Sequence, residues 1–239
     1  MSGETHSVRK AIIMAAGIGK RLRPLTLTTP KPLIPVNGIR MIDSVVGALR
    51  QNGIEDIAVV VGYLKEQFAD LPARYPGLRL IENPWYDTCN NISSLYAARH
   101  ELTADCMILD GDQMIDHPEA LSPAFSLSGY NAVWTEEETD EWLMQTENGR
   151  VVSCSRTGGP RGWQLYSVSR WTAEDAGKLA RYTEEEFTKG NRQIYWDDVP
   201  MFCHFDDFCL GVREMRRGDV TEIDSLEELR ERENGREKQ

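Results

Sequence analysis

Two glycines and four cations fall between residues 17 and 31: Gly17, Gly19, Lys20, Arg21, Arg23 and Lys31. Glycine lets backbone amides approach an anion with no Cβ in the way. Arginine grips phosphate oxygens as a fork, and lysine neutralises them as a point charge. The segment therefore reads as a cradle for a polyphosphate, with the amides of residues 17–20 and the Arg21 and Lys31 side chains as donors. A second group is Asp110-Gly111-Asp112. Side chains alternate along a strand, so both carboxylates can share one face and offer hard oxygen to Mg²⁺, with Gly111 leaving room for the ligand. Further carboxylates stand at Asp197-Asp198 and Glu222-Ile223-Asp224. The adjacent amides of Asn90 and Asn91 each carry a donor and an acceptor, as reading a base edge requires, although Asn91 is also placed to cap a helix. Finally, Trp142, Tyr195 and Trp196 stand beside Asp140, Glu141, Asp197 and Asp198. Aromatic faces with acids nearby attract an organic cation, whereas plain packing would account for Trp196.

The elements that must position these residues follow from hydrophobic patterning. Apolar runs at 11–16, 57–61, 78–81, 107–109 and 132–134 read as strands. Residues 42–51, 65–74 and 92–102 have helical spacing, and Asn37-Gly38 and Asn52-Gly53 mark turns. This alternation predicts an α/β domain with a mostly parallel central sheet, whose ligands lie outside the carboxyl ends of the strands. The cationic loop and Asp110–Asp112 both fall there. Further on, 142–146 and 151–155 flank Glu147-Asn148-Gly149 as a hairpin, and 164–168 reads as a strand. Residues 172–189 form a helix with Thr172 as N-cap and Glu174 and Asp175 in its first turn. From Ser225 the chain is a charged helix expected to fray over 231–239. One domain spans 1–239: a nucleotide-binding half over about 10–135, an acceptor-binding half over about 136–225, and the tail.

Composition narrows the function. The chain has 239 residues and a net charge of −11, which disfavours nucleic acid and anionic membranes as partners and makes the cluster at 20–31 a local exception. The five cysteines are odd in number and lack metal-ligand spacing, the pattern of reduced thiols. No apolar run approaches membrane-spanning length, and the first ten residues have no apolar core of a signal peptide. A cytoplasmic protein is expected, with an apolar content that permits a homodimer.

The pattern Gly-x-Gly-x-Arg-Leu-x-Pro-x-Thr followed by Pro-Lys-Pro-Leu stands here as Gly17, Gly19, Arg21, Leu22, Pro24, Thr26, Pro30, Lys31, Pro32 and Leu33. It resembles the Rossmann-like nucleotidyltransferases that make sugar-nucleotides and CDP-alcohols. The spacing is not that of a P-loop, and Arg21-Leu22 replaces the third glycine of a dinucleotide fingerprint. The rest of the chain is similar to the choline-phosphate cytidylyltransferase (LicC-type) branch: the run at 62–68, Asn90-Asn91, Ser94-Leu95-Tyr96, Glu141-Trp142, Tyr195-Trp196-Asp197 and 222–225 match in order. It departs from that pattern at Gln193, where an acid would fit.

The resemblance implies transfer of CMP from CTP to phosphocholine, releasing pyrophosphate. Phosphonate cytidylyltransferases acting on 2-aminoethylphosphonate are close relatives of the same branch, and a non-catalytic nucleotide sensor is the alternative of another class. It implies a nucleotide site built from Ala15, Ala16, Gly17, Ile18, Gly19, Lys20, Arg21, Lys31 and Asp110, with Asn90, Asn91 and Ser93 at the base. Lys31 and Arg21 would be catalytic. Asp112 and Asp197 would hold Mg²⁺, with Asp224 as rival to Asp197, and Trp142, Tyr195, Glu141 and Asp198 would bind the zwitterionic acceptor.

Overall fold

A computed structural model describes residues 5–236. Nine strands form one central sheet: β1 (Lys10–Ala15), β2 (Asp56–Val61), β3 (Leu78–Glu82), β4 (Cys106–Asp110), β5 (Gly129–Thr135), β6 (Leu143–Glu147), β7 (Arg150–Ser155), β8 (Gly162–Trp171) and β9 (Gly211–Glu214). The main helices are α1 (Met41–Gln51), α2 (Ile92–Ala98), α3 (Ala173–Lys189) and α4 (Leu226–Arg236). Strand order is β5-β9-β7-β6-β8-β4-β1-β2-β3, and β5 also pairs with β8, so five strands of the C-terminal half close into a ring of ladders. The fold is α/β as the patterning predicts, with a mixed sheet. Strands β4, β1, β2 and β3 run parallel. β8 lies antiparallel to β4 and opens the second half, where β6 and β7 form a hairpin. Its turn sets Asn148 at φ 51 and Gly149 at φ 77, the two left-handed residues of a tight hairpin that needs no crossover.

The sheet is buried on both faces, and β1 shows why its sequence is apolar throughout. Ala11, Ile13 and Ala15 pack with Ile42, Val45 and Leu49 of α1, whereas Ile12 and Met14 pack with Leu95 of α2 and Leu179 and Phe187 of α3. A smaller cluster joins Leu22, Ile34, Val36, Met41, Met114, Ile223 and Leu229. It anchors the cationic loop, the segment after β4 and the chain before the tail to one another.

Three expectations need adjustment. Residues 65–74 are a turn at Lys65–Phe68 and a separate turn at Leu71–Arg74, because Pro72 lacks an N–H and its ring clashes with the carbonyl a turn earlier. Residues 92–102 are α2 followed by a tighter turn at Arg99–Glu101. The tail helix runs to Arg236 rather than fraying from residue 231, and residues 237–239 lie outside the described residues. At α3 the Asp175 amide donates to the Thr172 hydroxyl at 3.1 Å, the cap that the sequence predicts. Among the described residues no helix is long and apolar enough to cross a membrane, and all five cysteines are free.

Candidate active site

The cationic loop leaves β1 at Ala15 and turns sharply at Gly19, which has φ +65. A Cβ there would sit 3.0 Å from the Thr26 Cγ2 and 3.1 Å from the Lys31 Cβ, so glycine is required both by conformation and by packing under Lys31. The Thr26 hydroxyl donates to the Gly19 carbonyl at 2.8 Å, and Leu22 is fully buried beneath the turn. Gly17 differs: a Cβ would meet nothing within 4 Å. It leaves open space for a ligand to approach the backbone.

Lys31 is buried, and its Nζ lies 2.7 Å from Asp112 Oδ2 and 2.7 Å from Asp224 Oδ1. Arg21, largely exposed, reaches the same Asp224 oxygen at 2.8 Å. Burial opposes the Lys31 charge, but Asp112 and Asp224 outweigh it and hold the ammonium above the ordinary lysine range. A two-stranded ladder sets this up. Gln113–Ile115, directly after Asp112, pairs with Val220–Glu222 and so delivers Glu222 and Asp224 to the end of β4.

Around these groups the acids crowd one another. Burial, then Asp112, Asp197 and Glu222, push Asp110 well above the usual carboxylate range. Asp197 is pushed up to about 7 by burial, with Tyr130 opposing. Glu222 keeps part of its side chain open to the cavity, yet dense surroundings followed by Asp112 and Asp224 push it up to about 7. Acids that repel one another in this way favour the arrival of a cation.

Three cavities of about 510, 310 and 140 Å³ meet here, and Lys31 and Asp112 line all three. The first holds Ile18, Gly19, Lys20, Arg21 and Asn90. The smallest lies against Ala15, Ala16, Gly17, Asn91 and Asp110. The 310 Å³ cavity gathers Asp110, Asp197, Glu222 and Asp224 with Glu141, Trp142 and Tyr195. Its aromatic rings meet edge to face, centroids 5.9 Å apart at 85°, as a two-walled corner.

Some sequence readings are corrected. Asp198 does not reach the corner: it is buried, its Oδ1 accepts from Arg156 Nε at 2.7 Å, and its Oδ2 accepts from the Tyr195 amide at 2.8 Å. It braces the turn that presents Tyr195. Ser93 is also buried and lines none of the three cavities. Its hydroxyl donates to the Asn90 carbonyl at 2.8 Å and accepts from Asn83 Nδ2 at 2.9 Å. Asn91 stands at the N-cap position of α2 without a side-chain cap bond, because its Oδ1 accepts from the Trp196 amide at 2.8 Å. Gly111 leaves no ligand space: a Cβ would lie 3.0 Å from both Ile13 and Ile42 side chains. Trp196, by contrast, is core as plain packing predicts, stacked near Tyr130 and edge-on to Trp171.

Other lining residues gave no usable signal. Tyr86, Asp87, Thr88 and Cys89 wall the 510 Å³ cleft, and Gly62 explains how Tyr86 fits, since a Cβ there would come within 2.7 Å of that side chain. Gln193 lies in this cleft and not in the aromatic corner. It forms part of a clasp between halves. Its Nε2 donates to the Thr88 carbonyl at 2.9 Å, the Asn90 Nδ2 donates to the Gln193 carbonyl at 3.2 Å, and the Asn90 amide donates to the Arg192 carbonyl at 2.8 Å. The Asn91–Trp196 bond is the fourth link.

The donor set suits a hard divalent cation. Asp112 and Asp197 offer carboxylate oxygen, and Asp197 Oδ1 is buried without a hydrogen bond of normal geometry, its neighbour being the Tyr130 hydroxyl, itself unpartnered. Lys31 pairs with Asp112 and Asp224 alike, and Asp224 carries a second cation, Arg21.

The nucleotidyl transferase family model matches residues 10–128. A 2-aminoethylphosphonate cytidylyltransferase from Lancefieldella rimae is 39% identical over 96% of this chain and 94% of its own length. The chain belongs to the nucleotidyl transferase family. A choline-phosphate cytidylyltransferase from Streptococcus pneumoniae is 35% identical over 92% of this chain and 95% of its own. The solved structure of the CTP:phosphocholine cytidylyltransferase LicC from the same organism superposes with a TM-score of 0.85, at 34% identity over 95% of this chain and 99% of that one. These matches make the chain an enzyme of the family rather than a nucleotide sensor, and cytidylyl transfer is the activity they support.

Proposed function

We propose that this enzyme transfers CMP from CTP to the phosphonate oxygen of 2-aminoethylphosphonate or a closely similar primary-ammonium zwitterion. The observation that carries the reading is the 310 Å³ cavity, where Glu141, Glu222, Ser167 and Asp224 stand around the aromatic corner. A primary ammonium is strongly hydrated and gives up its water only to hydrogen-bond acceptors, which these residues supply. The 39% identical relative acts on that acceptor. A second reading, phosphocholine, is favoured by the Trp142–Tyr195 corner, whose faces suit a quaternary ammonium with no N–H to donate.

In this reading the acceptor oxygen, already ionised at neutral pH, attacks the α-phosphorus in line. The bond from that phosphorus to the β-bridging oxygen breaks, and its electron pair leaves on pyrophosphate. No general base is needed, so positioning and charge neutralisation carry the rate. Lys31, lining all three cavities, exchanges its carboxylate partners for the α-phosphate and the acceptor. Arg21, Lys20 and the amides over 17–20 hold the leaving pyrophosphate. Mg²⁺, when bound, would be held by Asp112 and Asp197 and would withdraw charge from the phosphoryl oxygens.

The test is pyrophosphate release with CTP and Mg²⁺, comparing kcat/KM for 2-aminoethylphosphonate, phosphoethanolamine and phosphocholine. A preference of about tenfold or more for the primary amines is expected from the hydrogen bonds that the quaternary ammonium cannot make. Preference for phosphocholine overturns the acceptor assignment, and turnover confined to sugar phosphates overturns the zwitterion reading.

A further inference from the structure

Four charged side chains are buried among the described residues, and three of them face an opposite charge: Lys31 faces Asp112 and Asp224, Glu186 faces Lys189, and Asp198 faces Arg156. Arg170 is the exception. It is 2% exposed at the end of β8, and its partners are neutral. Its Nε donates to the Ser122 carbonyl at 2.9 Å, one terminal nitrogen to Asn131 Oδ1 at 2.5 Å, and the other to the Ala120 carbonyl at 2.8 Å. After burial itself, the charge that perturbs it is another cation, Arg213, and together they pull its pKa down to about 9. Arg213 donates to the Ala124 carbonyl at 2.7 Å and has no ion pair among the described residues. Of the five N–H groups on each guanidinium, these bonds use three on Arg170 and one on Arg213.

Both arginines line a cavity of about 200 Å³ whose other walls include Ser126, Gly129, Gly149 and Gly211. It shares no lining residue with the three cavities of the active site. A buried guanidinium whose charged neighbour has the same sign lacks the compensation that interiors normally supply, and an anion accepting from both forks would provide it. We propose that the cavity between Arg170 and Arg213 binds a small tetrahedral oxyanion, either free phosphate or the phosphoryl or phosphonyl end of a metabolite. The site lies on the strand that also carries Ser167 into the 310 Å³ cavity, three residues or about 10 Å away along extended backbone.

Thermal melting of the full chain with inorganic phosphate tests this. At about ten times the dissociation constant, phosphate should raise Tm by about 3–6 °C. The nucleotide loop also attracts phosphate, so Arg21→Ala is run beside Arg213→Gln. The rise should persist in Arg21→Ala and vanish when Arg213→Gln is added to that variant, while Arg213→Lys in the same background should keep most of it. Arg213→Gln is preferred to Arg170→Gln because it removes one exposed hydrogen bond instead of three inner ones. Comparison of each variant with and without phosphate separates ligand loss from weakened folding. A larger shift with glycerol 3-phosphate than with phosphate points to a metabolite's phosphoryl end, and an equal or smaller one to the free ion. Loss of the rise in Arg21→Ala, its survival in the Arg21→Ala, Arg213→Gln double variant, or no rise at all overturns the site.

Discussion

Replacing Lys31 by alanine separates its part in the chemistry from its part in folding. The ammonium sits 2.7 Å from each of two carboxylates, and at an effective dielectric of about 20 each such contact is worth about 6 kcal/mol before the cost of burial is subtracted. Most of that is offset in the resting protein. The carboxylates of Asp112 and Asp224 keep 30% and 27% of their side-chain area exposed, so water can solvate them once the lysine is gone. Loss of stability should therefore be about 1–2 kcal/mol, a fall in Tm of about 3–6 °C. Water cannot replace the ammonium against charge that develops on the α-phosphorus. Removing one such donor costs about 10²–10³ in kcat, or about 3–4 kcal/mol. Pyrophosphate release at saturating CTP and acceptor reads kcat, and calorimetric titration with CTP reads nucleotide affinity, which should weaken by less than about tenfold. A kcat within tenfold of wild type would refute the reasoning, because the position where three cavities meet would then carry no reacting charge.

The glycine pair offers a contrast: Gly19→Ala forces a left-handed residue and a Cβ against Thr26 and Lys31, so activity should fall steeply with a stability loss of about 1–2 kcal/mol. Gly17→Ala meets no protein atom and should melt like wild type while CTP binding weakens, so equal melting and equal binding would show that no ligand approaches there. Asp198→Ala should destabilise by about 1–2 kcal/mol, since it frees the Tyr195 amide and leaves Arg156, 48% exposed, for water to solvate. It should also raise the acceptor KM more than the CTP KM, a split visible in steady-state kinetics. Glu101 supplies the pH dependence. Hydrogen bonding to Arg79, opposed by burial and reinforced by Lys10, lowers its pKa from 4.5 to about 2. Because the folded value is the lower one, its stabilisation is complete above about pH 4.5 and is lost as pH falls through 2. Urea unfolding should show Glu101→Gln costing about 2 kcal/mol at pH 6 and much less at pH 2.5.

The nucleotide half was legible because its signals are local. An apolar run ending in Gly17 and Gly19, and an acid pair after 107–109, each follow from neighbours in sequence, and β1 and β4 place them side by side. The ladder between Gln113–Ile115 and Val220–Glu222 was not legible, since three-residue strands more than a hundred positions apart leave no period to detect. It decides that Asp224 meets Lys31. Residue type also misled where a polar group was spent internally. Asp198 and Ser93 have the chemistry of a binding site, but their partners, Arg156 and Asn83, are visible only after folding. The parallel sheet was read from alternating strands and helices, a rule that stops at β8, where hairpins take over.

The clasp joining residues 88–91 to 192–196 bears on how substrates enter. Swinging the acceptor half outward as a lid would break the four bonds at Asn90, Asn91 and Gln193. At a net value of about 1 kcal/mol each, opening would cost about 4 kcal/mol and leave only about one molecule in a thousand ajar. The acceptor wall is thus a standing structure rather than a gate. Choice among acceptors then rests on the shape and charge already present when the ligand arrives.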